Sequence, residues 1–195
     1  MSSQSLNTAF NTRRLVITGM LIAVSIILAV PLNAPPFVSL GFITFGGISF
    51  TFMHVPAIIG AVLEGPVVGL IVGGAFGLFS MFLANQQTGA DAIFRDPIIS
   101  VLPRLFIGPV AWLVFNALKK ANPMAALGGA GVAGTLTNTL LVIGAIAIRL
   151  SVPFLATLAS VAVNVAIEVV VAVVLVIAVV NALRNVGGGR GGSSV

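Results

Sequence analysis

The chain has 195 residues, of which 58% are hydrophobic and only 7% charged, and its mean hydropathy is +1.20. A soluble domain carries about a quarter charged residues, so a water-soluble fold is excluded: it could not hide this much apolar surface. The net charge of +5 is dispersed between apolar runs, as topology determinants are, and forms no basic face for nucleic acid. The lack of cysteine excludes a disulfide framework, a thiolate metal site and a cysteine nucleophile.

Residues 1–12 form a polar segment rich in Ser, Asn and Thr, after which Arg13 and Arg14 introduce an apolar run from Leu15 to about Pro31. That run is long enough to cross a bilayer and is the first predicted span. A cleaved signal peptide fits less well, because no small-x-small cleavage site follows it. From Asn33 to Gly47 the chain mixes Pro, Gly, Ser and Phe without a helical period, which predicts a structured loop or re-entrant piece.

The second span is predicted from about Ser49 to Leu63, a little short, and it ends at Glu64-Gly65-Pro66, where acid, glycine and proline signal a break and restart. The third covers Val67 to about Ala84. Asn85 to Pro97, with Asp91, Arg95 and Asp96, must lie in water or line an aqueous cavity. Ile98 to about Leu118 is the fourth span, closed by Lys119 and Lys120; the Gly/Ala-rich fifth covers about Ala126 to Ile148, and the sixth about Leu155 to Leu183. The tail from Asn185 to Val195 is Gly/Ser-rich, predicts no order, and lacks the Lys-Ser/Thr end of a phosphate loop.

The expected fold is therefore an all-α membrane protein with six transmembrane helices over residues 13–184. An even number of crossings puts both termini on one side, together with Arg13, Arg14, Lys119, Lys120, Arg184 and Arg190, while Arg95 and Arg149 fall opposite. The positive-inside rule then places both termini in the cytoplasm.

Gly69, Gly73 and Gly77 recur every four residues on one face of the third span, a spacing that lets another backbone approach, and packing within the chain is the favoured reading. Gly19 and Ala23 repeat the device in the first span, where a neighbouring helix or a partner subunit could be received. Ionisable groups inside spans are expensive and mark function by default; here they are Arg104 and Glu168. Two readings stand side by side: an internal ion pair, or a site in which Arg104 meets an anionic ligand group while Glu168 accepts from its hydroxyls or amides.

Asn164 lies one turn before Glu168, and Thr135 and Asn138 lie three apart in the fifth span, so two helices offer polar stripes that could converge on a pocket. The single histidine, His54, has no partners with which to build a metal site and reads as structural. No G-x-S-x-G, H-E-x-x-H or Walker A motif occurs, so neither catalysis nor a bound cofactor is expected.

Three stretches carry a resemblance: RRLVITGMLIAVSIIL from Arg13, MHVPAIIGAVLEGPVVGLIVGGAFGLFSMF from Met53 to Phe82, and DPIISVLPRLFIGPVAWLVF from Asp96 to Phe115. The chain resembles, from Arg14 to about Leu183, the substrate-capture (S) components of energy-coupling factor (ECF) vitamin transporters. The resemblance implies a six-span protein of the bacterial cytoplasmic membrane. It would bind a B vitamin or precursor from outside, dock on a transmembrane coupling subunit attached to two cytoplasmic ATPases, and deliver its cargo by toppling. It also implies a docking face at Gly19 and Ala23, with glycine replacing the first alanine of the usual alanine-x-x-x-alanine pattern. The implied pocket comprises Asn33 to Gly47, Gln86 to Asp96, Arg104, Asn138, Asn164 and Glu168.

Arg95, Arg104 and Arg149 favour an anionic cargo. Pantothenate, with a carboxylate, an amide and hydroxyls, is favoured over folate, riboflavin and hydroxymethylpyrimidine, since one tryptophan and no tyrosine offer little stacking for flat rings. The alternative is a solitary ion-coupled or facilitative carrier, with Glu168 as a proton relay. Such carriers show repeated halves, and residues 14–84 and 98–183 do not match each other.

Overall fold

The structure, a computed structural model, describes residues 12–29, 31–32, 38–39, 42–45, 48–85 and 89–188. The polar segment 1–11 and the last seven residues of the tail lie outside them. Seven α-helices follow in chain order: α1 Thr12–Ala29, α2 Val55–Glu64, α3 Pro66–Ala84, α4 Pro97–Ser100, α5 Leu102–Leu118, α6 Pro123–Leu150 and α7 Phe154–Gly188. Five apolar stretches are long enough to cross a membrane: α1, α3, α4 with α5, α6, and α7 as far as Arg184. Exposed side chains such as Leu15, Ile148 and Leu155, which are 63%, 82% and 76% accessible, make sense only against lipid. The molecule is a multi-pass all-α membrane protein.

The second predicted span needs correction at its start. Its helix, α2, begins at Val55, not near Ser49, and ten residues at 1.5 Å each reach about 15 Å, half the hydrocarbon core. The residues before it form strands. β1 Pro31–Leu32, β2 Val38–Ser39, β3 Phe42–Phe45 and β4 Ile48–Thr51 pair antiparallel in sequence order, with Phe42 opposite Thr51 and Phe45 opposite Ile48. The predicted re-entrant loop is thus a small meander, whose connecting residues, Asn33 among them, lie outside those described. α2 itself is the centre of the bundle, with nine of its ten residues buried.

The predicted break after Glu64 is present. Gly65 adopts φ +99°, a left-handed conformation that favours glycine, donates its N–H to the Ala61 carbonyl, and hands over to Pro66 at the start of α3. Arg14 Nη2 donates to the Glu64 carbonyl at 2.8 Å, and the guanidinium groups of Arg13 and Arg14 each lie 3.4 Å from the Glu64 carboxylate. α1 is pinned by this contact to the α2–α3 corner.

The glycine stripe of α3 packs within the chain, as favoured. A side chain at Gly69 would meet the Gly108 backbone at 2.8 Å, one at Gly73 would collide with the Arg104 carbonyl, and one at Gly77 would meet Val101 at 2.8 Å. Gly69, Gly73 and Gly77 therefore face positions 108, 104 and 101 in turn, an antiparallel seam in which α5 lies directly on α3. Ser100 Oγ adds a hydrogen bond to the Gly77 carbonyl at 3.0 Å.

Because α5 runs antiparallel to α3, its C-terminal Lys119 lies at the same end as Arg13, Arg14 and Glu64. Arg184 joins Lys119 there, both cations lying over the Phe115 ring at 5.8 and 6.0 Å. At the opposite end Arg149, in the last turn of α6, pairs with Asp96 at 2.6 Å. The charge separation expected from the sequence is present for these residues, and Arg190 lies outside those described. α7 is longer than expected: at 35 residues it reaches about 52 Å, overruns the hydrocarbon core, and carries the helix through positions 185–188 of the expected disordered tail.

Candidate substrate site

The α3–α5 seam sets Arg104 on the inner side of the bundle, where it is 5% exposed. One guanidinium nitrogen donates to the Ile99 carbonyl, and the group lies over two rings, 5.5 Å from the Phe76 centroid and 5.0 Å from that of Phe94. Both contacts suit a cation held away from water. Nε is buried with no hydrogen-bond partner.

Glu168, 6% exposed in α7, is engaged elsewhere: its Oε1 accepts the backbone N–H of Thr51, at the end of β4, at 2.8 Å. Arg104 and Glu168 do not pair, and of the two readings the internal ion pair is set aside. Glu168 instead holds the last strand of the meander against α7 at the point where the chain turns into α2.

Three residues later His54, wholly buried, lies 2.9 Å through Nε2 from Thr135 Oγ1 on α6. Thr135 in turn bonds the Gly131 carbonyl at 2.9 Å. The guanidinium of Arg104 is within electrostatic reach of the His54 ring. One turn beyond Thr135, Asn138 is 6% exposed, and its Oδ1 is unpartnered. Asn164, half-buried one turn before Glu168, is engaged with neighbours in the structure.

Five buried side-chain polar atoms lack a hydrogen bond among the described residues: Thr51 Oγ1, His54 Nδ1, Glu64 Oε1, Arg104 Nε and Asn138 Oδ1. Glu64 Oε1 at least faces the Arg13 guanidinium. The other four belong to the residues just described. A buried polar group without a partner costs roughly 1–3 kcal/mol, and one chain tolerates several together where a ligand supplies what is missing.

Arg95 and Asp96 are placed differently. Arg95, exposed on a 3-10 helix Gly89–Arg95, donates from Nε to the Ala84 carbonyl at 3.0 Å and so closes the end of α3. Its neighbour Phe94 lies under the Arg104 guanidinium. Asp96 caps α4 by accepting from the Ile98 N–H and binds Arg149; the cap first, and then the guanidinium, hold its carboxyl below the usual value of 3.8. Arg149 is therefore matched by an acid. The loop positions Gln86 to Thr88 lie outside the described residues.

Gly19 and Ala23 lie exposed on α1, and a side chain at Gly19 would meet nothing within 4 Å. Among the described residues nothing packs on Gly19, and Ala23 is exposed.

Arg104, Asn138 and Glu168, singled out in the sequence, are all buried; of the other residues with unpartnered buried atoms, His54 reads in the sequence as structural and Thr51 does not stand out. A lone histidine carries no pattern, and Thr51 belongs to a segment read as helix. The alternation in Ile48-Ser49-Phe50-Thr51 after Gly46-Gly47 was the available signal for a hairpin strand.

A family model for the ECF transporter substrate-specific component matches residues 13–180. The chain belongs to that family. It is a family of substrate-binding transport components and not of enzymes. The crystal structure of an S-component for biotin from an ECF-type ABC transporter superposes on this substrate-specific component with a TM-score of 0.64 at 20% identity, over 95% of each chain, which shows the shared fold. The "Pantothenic acid transporter PanT" of Lactococcus lactis subsp. cremoris (strain MG1363) is 31% identical over 111 residues, covering 49% of this chain and 55% of that protein. The chain thus matches about half the length of that curated relative.

Proposed function

We propose that this substrate-specific component captures pantothenate at the outer face of a bacterial cytoplasmic membrane and passes it to a transmembrane coupling subunit driven by two cytoplasmic ATPases. The observation that carries the reading is the mixed chemistry of the buried, unpartnered groups: a guanidinium N–H on Arg104, acceptors on His54 and Asn138, and a hydroxyl on Thr51. Pantothenate offers the complement, a carboxylate for the cation and an amide N–H and two hydroxyls for the acceptors. The partial likeness to a pantothenic acid transporter points the same way. Phe76 and Phe94 are occupied by Arg104, which leaves less aromatic surface for a flat ring of the riboflavin or folate kind.

In this reading Arg104, Asn138, Asn164 and Glu168 contact the cargo, and Arg95 acts through the loop that carries Phe94. The exposed pair Gly19 and Ala23 receives the coupling subunit, since small residues open to the outside invite a foreign backbone. The end bearing Arg13, Arg14, Lys119 and Arg184 faces the cytoplasm with both termini.

The test is a thermal-shift screen of the detergent-purified protein against single B vitamins and precursors. A ligand at a hundredfold excess over its Kd stabilises the native state by about 2.7 kcal/mol. Pantothenate is expected to raise the melting temperature most. A stronger shift with a flat-ring vitamin would reassign the cargo, and no shift with any vitamin would favour a solitary carrier of another solute.

A further inference from the structure

His54 is the N-cap residue of α2, yet its side chain makes no capping bond there. Its ring is held from the other edge, by Nε2 against Thr135 Oγ1 at 2.9 Å. A threonine hydroxyl has one proton. In Thr135 that proton is given to the Gly131 carbonyl one turn back, at 2.9 Å. Its oxygen can then only accept, so His54 Nε2 is the nitrogen that carries hydrogen.

A neutral imidazole with hydrogen on Nε2 presents Nδ1 as a bare acceptor. A doubly protonated ring would need an acceptor facing Nδ1, and among the described residues none does, since Nδ1 is buried without a partner. Asn138 Oδ1, one turn along α6 from Thr135, is a second unpartnered acceptor, and Thr51 Oγ1, three residues before His54, is a hydroxyl in the same condition. These three atoms call for donors, whereas Arg104 calls for an anion.

We infer that His54 is a specificity-determining residue: its bare Nδ1, fixed in that state by Thr135, accepts a hydrogen bond from an O–H or N–H of the captured molecule. The inference rests on the pantothenate reading above and deepens it, because it divides the cargo into an anionic end read by Arg104 and a donor end read by His54 and Asn138. A molecule with the carboxylate but no donor, such as a simple fatty acid of similar length, is then refused, since it would leave Nδ1 unpaired.

The chain has one histidine, so protein labelled with 15N-histidine gives the signals of a single imidazole. Without ligand, Nε2 is expected to appear protonated and Nδ1 bare, and on addition of pantothenate the Nδ1 signal moves in the direction of an accepted hydrogen bond. A protonated Nδ1 in the free protein, or an unmoved signal with pantothenate bound, overturns the inference. Two variants separate it from a structural role. His54→Gln keeps a partner for Thr135 but loses the Nδ1 acceptor, and is expected to bind pantothenate about tenfold more weakly or worse. His54→Asn places an oxygen close to the Nδ1 position and loses Thr135, and is expected to stay within about threefold of the parent protein. The reverse order would show that only the Thr135 contact matters. Failure of the unmodified protein to bind pantothenate in calorimetry rejects the cargo reading and the ligand half of this inference together, while the nitrogen signals still report on the tautomer.

Discussion

Gly69, Gly73 and Gly77 in α3 and Gly19 with Ala23 in α1 share one spacing of small residues, and the bundle uses the two sets in opposite ways. The α3 stripe is filled by the α5 backbone, so closely that a methyl group at Gly73 would occupy the place of the Arg104 carbonyl. The α1 pair is open, with no described residue within 4 Å of a side chain placed at Gly19. Small residues at helical spacing state that a backbone can approach, and the identity of that backbone is decided by which faces the rest of the fold has already paired. α3 lies between α2 and α5 and has its partners; α1 packs on the bundle through Leu21, Ile22, Leu28 and Ala29 and through the Arg14–Glu64 corner, and leaves Gly19 and Ala23 exposed among the described residues.

The largest expected effect comes from breaking the filled seam. Gly73→Leu drives a side chain into α5, for which no neighbouring side chain can move aside, and a loss of more than about 3 kcal/mol is expected. Size-exclusion profiles of the detergent-purified variant should show no monodisperse folded protein. A well-folded Gly73→Leu variant would mean that α3 and α5 separate more easily than their contact implies.

The open pair should behave in the contrary manner. Gly19→Leu and Ala23→Leu are expected to leave stability within about 0.5 kcal/mol and leave pantothenate binding unchanged, while uptake by cells carrying the coupling subunit and ATPases is lost. Impaired binding in the purified variants would show that α1 shapes the substrate site and would end its assignment as a docking face.

Arg104 joins the two comparisons, since the α3–α5 seam positions it and its side chain belongs to the proposed site. Arg104→Ala should fold, because no buried acid is left unpaired by its removal. Losing a charge-assisted contact of about 1.5–3 kcal/mol should weaken pantothenate binding by roughly 10- to 100-fold in calorimetry. Arg104→Lys is expected to recover little, as an ammonium cannot bond Ile99 and lie flat between Phe76 and Phe94 at once. Equal binding by all three proteins would remove Arg104 from the site.

The long spans were legible because twenty apolar residues have few other uses, and the corner at Gly65 because acid, glycine and proline in succession leave a helix no way to continue. The start of α2 was not, since Ser49 to Met53 is apolar enough to pass for helix and only its period of two betrays a strand. Arg104 and Glu168 stood out by charge in an apolar run. Whether they paired depended on the meander, which supplies Thr51 N–H to the carboxylate from 117 positions away, and no local pattern encodes such a meeting. The role proposed for His54, which reads in the sequence as structural, was not legible for the same reason: it depends on Thr135, 81 positions on.

The smallest expected effect tests the end of the bundle opposite Arg13 and Arg14, where Asp96 ties the start of α4 to the end of α6. Its carboxyl is held below 3.8, first by the Ile98 N–H and then by Arg149. A depressed value means that the charged form is favoured by folding, so the contribution is complete above the unfolded value of 3.8 and is lost as pH falls through the folded one. Asp96→Asn keeps an acceptor for the Ile98 N–H and removes the charge facing Arg149. Its melting temperature should therefore fall slightly below that of the parent protein at pH 7, and the difference should close as both are acidified below pH 3.8. A difference that persists in acid would place the effect in side-chain geometry at the cap and not in the Asp96–Arg149 charge pair, and would make this end of the bundle a matter of packing like the glycine seam.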